Sequence, residues 1–290
     1  MSSPSGRAGS AALRLAQSLG VPATSARVLH DGSNVLVALA PQPLVARVAA
    51  VTARVRMRPA EALQRDVQLA GWLAAQGARV VAPADELPPG PHQAEGFGLT
   101  YWRFVEVLGT VSEPDVAAAE LLDLHRLSVA YEGALPGVQP LISDALRGVA
   151  LARDAGVVTR HDAQRLEAAG LRFTREIPRG AFPLHGDAHP GNLLRTPDGL
   201  RWTDFEDTWR GPLEWDLACL HETSRLDGAA AVARYRELCA REFLVDDDVL
   251  AACVRLRRWQ GVCWSLVFAA DDPAHLPRAA VALREWLARD

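Results

Sequence analysis

The chain has 290 residues, about half of them apolar, and a formal net charge of −4. That length suits two lobes packed around a cleft better than a single core, and the charge offers no basic footprint for nucleic acid or an anionic membrane. The sequence contains no lysine, so a site that needs a permanent side-chain cation must take it from Arg.

Met1 to Ser10 is rich in Ser and Gly and leads into an amphipathic segment with no apolar signal core. No apolar run is of membrane-spanning length. A cytoplasmic protein, ordered except for about its first ten residues, is expected on composition. From Ala26 to Ala49 three apolar runs, Val28 and Leu29, Val35 to Ala38 and Leu44 to Val48, are separated by Asp31-Gly32-Ser33-Asn34 and Pro41-Gln42-Pro43. Two short breaks between three such runs predict an antiparallel meander.

From Pro59 to Gln76 the residues Leu63, Val67, Ala70 and Ala74 recur at helical spacing, and Gly77 ends the segment. Ala78 to Val81 and Phe97 to Val107 read as two further strands. Near residue 110 the strand pattern stops. Ser112-Glu113-Pro114-Asp115 resembles a capping box at the start of a helix, with Leu121, Leu124 and Ser128 on one face. Helical patterns continue over Leu141 to Ala155 and Asp162 to Arg175.

The helical run is interrupted once, between Phe182 and Glu206, where Thr196-Pro197-Asp198-Gly199 separates two short apolar segments in the manner of a hairpin. Beyond Pro212 the sequence is helical almost to its end. Segregated strands and helices argue for an α+β arrangement: a small N-terminal lobe, residues 1–107, with an antiparallel sheet and one helix, and a larger, mainly helical lobe, residues 108–290. Cys219, Cys239, Cys253 and Cys263 lie in helical sequence without close pairing and read as reduced core thiols.

The interruption carries the chemistry. Leu184-His185-Gly186-Asp187-Ala188-His189-Pro190-Gly191-Asn192 precedes the hairpin, and Trp202-Thr203-Asp204-Phe205-Glu206 follows it. Phosphoryl transfer needs a carboxylate to orient an attacking hydroxyl and oxygen ligands for Mg2+. Asp187 suits the first task, Asn192 and Asp204 the second, and the hairpin folds Asp204 back towards Asn192. Taken singly, each of these residues also suits a turn cap.

This segment resembles the aminoglycoside phosphotransferase and choline kinase-like family, which has the two-lobed fold of protein kinases. The resemblance implies a kinase that uses ATP and Mg2+ to phosphorylate a hydroxyl of a small molecule. It makes Asp187 the catalytic Asp, Asn192 and Asp204 the Mg2+ ligands, and His185 a brace for the loop. His189 stands where protein kinases place a Lys on the transferred phosphate, and Asp216 is expected to hydrogen-bond the loop from below. Gly32, Ser33 and Asn34 are expected at the phosphates, although a hairpin turn would use the same residues. Arg47 and Asp66 take the places of the Lys and Glu that hold the α and β phosphates; a plain strand-to-helix ion pair is the simpler reading. Glu61 is the alternative partner, and Arg54, Arg56 and Arg58 are alternative cations. Phe104, Val105 and Glu106 fall at the hinge that meets adenine.

Two rivals stand beside this reading. His185-x-Asp187-x-His189 has the alternation of a metal-dependent hydrolase, and the departures at Arg47 and Asp66 suit a nucleotide-binding pseudokinase. The acceptor is open among aminoglycosides, sugars, amino alcohols and acidic metabolites. Acidic residues exceed Arg only slightly beyond Glu214, and Arg255, Arg257 and Arg258 cluster on one helix.

Overall fold

The computed structural model describes residues 3–289. Of the ten residues expected to lack order, Met1 and Ser2 lie outside the described residues, and the helix α1 (Pro4–Ser18) begins immediately after them. The Ser3 hydroxyl accepts the Gly6 N–H, and a face of Ala8, Ala12 and Ala16 packs on the sheet. Small side chains let this helix lie close to the strands, and that packing outweighs the Ser and Gly content.

The strands β1 (Ser25–Asp31), β2 (Asn34–Ala40) and β3 (Leu44–Ala49) form the expected meander, with Leu36 opposite Arg47. A short helix α2 (Val51–Val55), which the periodicity does not announce, precedes α3 (Pro59–Ala75). The strands β4 (His92–Ala94) and β5 (Phe97–Arg103) complete an antiparallel sheet of order β1-β2-β3-β5-β4.

Two expected strand boundaries are corrected. Ala78 to Val81 is not a strand of this sheet; Val81 N–H bonds the Trp202 carbonyl, and Val80 and Val81 are buried beside it. A short apolar run buried between elements has the same pattern as a strand. β5 ends at Arg103 because Phe104 N–H turns to the Pro43 carbonyl, so residues 104–107 leave the sheet.

The helical part begins with β6 (Gly109–Thr110) and α4 (Pro114–Ser128). Ser112 is not the cap of α4: Glu113 holds that position, and its carboxylate accepts the Ser112 N–H and pairs with Arg195. There follow α5 (Gln139–Asp154), α6 (Arg160–Glu176), β7 (Phe182–Pro183), the hairpin β8 (Leu193–Thr196) and β9 (Gly199–Trp202), and β10 (Arg210–Gly211). The helices α7 (Glu214–His221), α8 (Gly228–Cys239), α9 (Asp247–Asp271) and α10 (Leu276–Leu287) end the chain. β8 and β9 pair around the Asp-Gly turn as expected, β6 adds to β8, and β7 pairs with β10.

One core lies between α1 and the sheet. The larger core fills the helical part and also takes Leu69, Ala70 and Leu73 of α3, so α3 is packed against both halves of the molecule. All four cysteines are buried and unpaired. Among the described residues no helix is long and apolar enough to cross a membrane.

Candidate active site

Residues 185–192 run from β7 to β8 as a loop held from beneath. Asp216, fully buried in α7, accepts the His185 N–H at 2.8 Å and the Gly186 N–H at 2.9 Å. Its Oδ2 also lies 3.1 Å from His125 Nε2, and His125 Nδ1 lies 2.8 Å from the Tyr235 hydroxyl. The His185 ring accepts the Asp187 N–H on Nδ1 and donates from Nε2 to the Thr203 carbonyl. Burial lowers the proton affinity of His185, against the pull of Asp216 and Asp187. Both ring nitrogens are therefore committed to the protein, and the ring stacks on Phe205 at 4.5 Å. Among the described residues no group of three or more His, Cys, Asp or Glu converges on a metal position, which counts against the hydrolase arrangement.

Gly186 has φ of 89°, and a Cβ there would stand 2.0 Å from the Asp207 carbonyl oxygen. Gly186→Ala is expected to cost more than about 3 kcal/mol, from left-handed strain and a backbone clash together. A denaturant midpoint close to the parent's would show instead that the loop relaxes easily.

Asp187 projects from this loop with its side chain 23% exposed. Its Oδ1 is buried against Arg257 of α9, whose NH2 lies 2.6 Å away. Its Oδ2 is 3.3 Å from Asn192 Nδ2 and 3.4 Å from His189 Nε2. Burial pushes the carboxyl pKa up, but Arg257 first and then His189 outweigh it and hold the group well below the usual carboxylate range. His189 accepts the Gly191 N–H on Nδ1 and so caps the turn at Pro190 to Asn192. Asn192 donates to the Asp187 carbonyl, and its own carbonyl accepts the Thr203 N–H, which places Asp204 next in the chain beside the loop.

Asp204, which is not a glycine, adopts φ of 71°. Such strain persists where the surroundings over-determine a conformation, and here Asp66 Oδ1 takes the adjacent Phe205 N–H at 2.9 Å. Arg47 on β3 meets Asp66 as expected, NH1 to Oδ2 at 3.3 Å, while Glu61 pairs with Arg58 on the surface. The pair is not isolated. Arg47 NH2 lies 2.5 Å from Asp204 and 3.2 Å from Glu206.

Glu206 gathers Asn34 Nδ2 at 3.1 Å and Arg56 NH2 at 2.9 Å as well, and Arg56 reaches Asp207 at 2.9 Å. Burial raises Asp66 to about 7, with Arg47 opposing and Asp204 and Glu206 adding to it. Burial likewise raises Asp204 to about 6, against Arg47 and with Glu206. Glu206 is lowered to about 2, because Arg47 and Arg56 outweigh the effect of burial. In this cluster Arg47 and Arg56 serve four carboxylates, Asp66, Asp204, Glu206 and Asp207.

Of the expected β1–β2 turn residues, Gly32 and Ser33 form the tip and line a cavity of about 1050 Å³. The Asn34 side chain turns the other way, buried between Glu206 and Thr52. Phe104 and Glu106 are exposed and Val105 half-buried in the segment that follows β5. Glu206, Arg257 and His125 are residues to which the sequence reading gave no role in the site, and Arg56, which it named only as an alternative phosphate cation, pairs here with Glu206 and Asp207. Only Glu206 had a signal, its place two residues beyond Asp204.

The phosphotransferase enzyme family model matches residues 26–252 of this chain. Similar solved structures include the choline kinase LicA from Streptococcus pneumoniae, with 16% identity and a TM-score of 0.63 over 94% of this chain and 96% of that one. An aminoglycoside-3'-phosphotransferase of type VIII has 20% identity and a TM-score of 0.60 over 86% of this chain and 98% of that one. An APH(2") enzyme in complex with GDP and kanamycin has 18% identity and a TM-score of 0.61 over 96% and 98%. No curated protein matches this chain in sequence. Two lobes with a five-stranded antiparallel sheet in the first, and a family match over most of the length, establish that the chain belongs to the phosphotransferase enzyme family, with its protein-kinase-like fold.

Proposed function

We propose that this protein is a small-molecule kinase that moves the γ-phosphoryl group of ATP, with Mg2+, to a hydroxyl of a small acceptor. The observation that carries this reading is the position of Asn192, bonded to Asp187 on one side and through Thr203 adjacent to Asp204 on the other. It puts a hydroxyl-orienting carboxylate and two oxygen donors in one place.

Carboxylate and amide oxygens are the donors that Mg2+ takes. Asn192 uses its Nδ2 for Asp187, and its amide oxygen accepts no hydrogen bond among the described residues. The surplus of carboxylate around Arg47 likewise fits an added cation. Asn192 and Asp204 are the metal ligands in this reading, and the bound ion supplies charge neutralisation at the phosphates. Arg47, braced by Asp66, holds the α and β phosphates beneath Gly32 and Ser33, and the backbone of Phe104 to Glu106 meets adenine.

The acceptor oxygen bonds to the γ-phosphorus as the bond between that phosphorus and the bridging oxygen of ADP breaks. Asp187 faces the departing hydroxyl proton. Its low proton affinity makes it an orienting acceptor and not a strong base. His189 lies close enough to Asp187 to reach the same transferred group, and His185 and Asp216 hold the loop. Residues 1–107 form the nucleotide lobe and 108–290 the acceptor lobe, and the cytoplasm, which supplies ATP, is the compartment. Asn192→Ala and Asp204→Ala should each weaken Mg2+-dependent ATP binding at least about tenfold. Unchanged affinity in calorimetry with Mg2+ would remove both as ligands, and ATP turnover with any hydroxyl acceptor would exclude the pseudokinase.

A further inference from the structure

The cavity is bounded on one side by His30 and Asp31 of β1 and by Gly32 and Ser33 of the β1–β2 turn, and on the other by the helical part, mainly α9 and α10. It adjoins the 185–192 loop through Arg225, whose Nε lies 3.2 Å from where a Cβ on Gly191 would stand. α9 links it to the site a second time, since Arg258 lines the cavity while its neighbour Arg257 reaches Asp187. Asp187 itself does not line it.

The lining is cationic and aromatic. Six arginines face four carboxylates. Two of the carboxylates are already committed: Glu222 takes both Arg258 Nε at 2.6 Å and NH2 at 3.0 Å, and Glu176 lies 3.5 Å from Arg255. The guanidinium groups of Arg225 and Arg278 are exposed and form no ion pair or hydrogen bond among the described residues. Between them stand the half-buried rings of Trp264, Phe268 and Trp286, with Trp264 and Phe268 at 5.8 Å.

A polycationic acceptor would meet these uncommitted guanidinium groups as like charges, with Asp31 and Glu285 the only lining carboxylates left to receive it among the described residues. An oxyanion meets planar forks that bind it through two parallel N–H bonds, and the rings take a flat or apolar body. We propose that the acceptor of this kinase is a hydroxyl compound bearing a carboxylate or phosphate, held by Arg225 and Arg278 over an aromatic wall. The proposal rests on the kinase reading for the word acceptor, but not for the binding.

Calorimetry of the full chain without nucleotide tests it. Two matched sets serve as probes: 3-phenyllactate, 3-phenylpropane-1,2-diol and phenylalaninol; and gluconate, glucose and glucosamine, with glucose 6-phosphate added. At least one oxyanion member should bind about tenfold more tightly than its neutral and amine counterparts. In the Arg225→Gln/Arg278→Gln double variant that difference should disappear. Tighter binding of glucose 6-phosphate than of gluconate would mark phosphate as the group, and the reverse carboxylate. Equal or tighter binding of the amines or neutral compounds, no binding of any oxyanion probe, or a preference that survives in the double variant would overturn the proposal. Mg2+-dependent ATP binding by the same chain is read separately. Its failure would end the kinase reading and leave the anion result standing on its own.

Discussion

Asp187→Asn is expected to lower phosphoryl transfer by about 10²–10⁴-fold, the range that a positioned acid or base group contributes, while ATP affinity in Mg2+ stays within about twofold. The substitution preserves size and the Asn192 contact side but removes the charge that Arg257 faces at 2.6 Å. The amide also offers an N–H where the hydroxyl proton needs an acceptor. The fold should persist, since Asp216 and His185 hold the loop through backbone groups that the substitution leaves in place. Leaving the Arg257 guanidinium without its anion costs some stability, so the denaturant midpoint is to be measured alongside turnover. Turnover within a few-fold of the parent, in a folded variant, would take Asp187 out of the catalytic role.

Arg47→Ala is expected to be the most destabilising single change in the N-terminal lobe, at about 3–5 kcal/mol. It strips the shared cation from Asp66, Asp204 and Glu206, which are respectively fully, partly and almost fully buried. Arg56 compensates only Glu206, to which it is already paired. The same change should raise the ATP KM and lower kcat together, because a phosphate cation positions the triphosphate as well as binding it. Arg47→Lys keeps the charge but loses the fork that lets NH1 face Asp66 while NH2 faces Asp204 and Glu206, so intermediate stability and activity are expected. Urea midpoints and ATP kinetics of the two variants check this. A stability loss under about 1 kcal/mol with unchanged ATP kinetics would show that Arg56 carries the cluster and that Arg47 is not the phosphate cation.

Much of the candidate site was legible because its signals are local. The Asp-Gly turn needs only adjacent residues to specify a hairpin, and the hairpin brings Asp204 back towards Asn192. Arg47 lies on β3 and Asp66 on the long helix α3, with only the short α2 between them, and the resemblance implied the pair that the structure shows. Asp216 was expected beneath the loop by the family resemblance of its segment, and it accepts two backbone N–H groups of the loop. The Ala78 to Val81 strand failed for the opposite reason. Its apolar run carries no information on which backbone it pairs with, and it meets β9 at Trp202 through single bonds and not the five-stranded sheet.

The sequence by itself determined the two-part order of strands and helices, the meander, the hairpin and the residue types that the candidate site would use. These depend on period, turn chemistry and residue type, all of which are properties of neighbouring positions. Only the tertiary structure decided which distant charges meet. Asn34 and Glu206 are 172 residues apart yet share a hydrogen bond, and Arg257 reaches Asp187 from another element. Arg47 serves three carboxylates where the sequence suggested one. Periodicity says which face of an element is buried but not what it is buried against, and an ion pair is set by that second choice. The arginines lining the cavity come from α6, the segment after α7, α9, α10 and the turn after it, and only the packing of those elements brings them around one cavity.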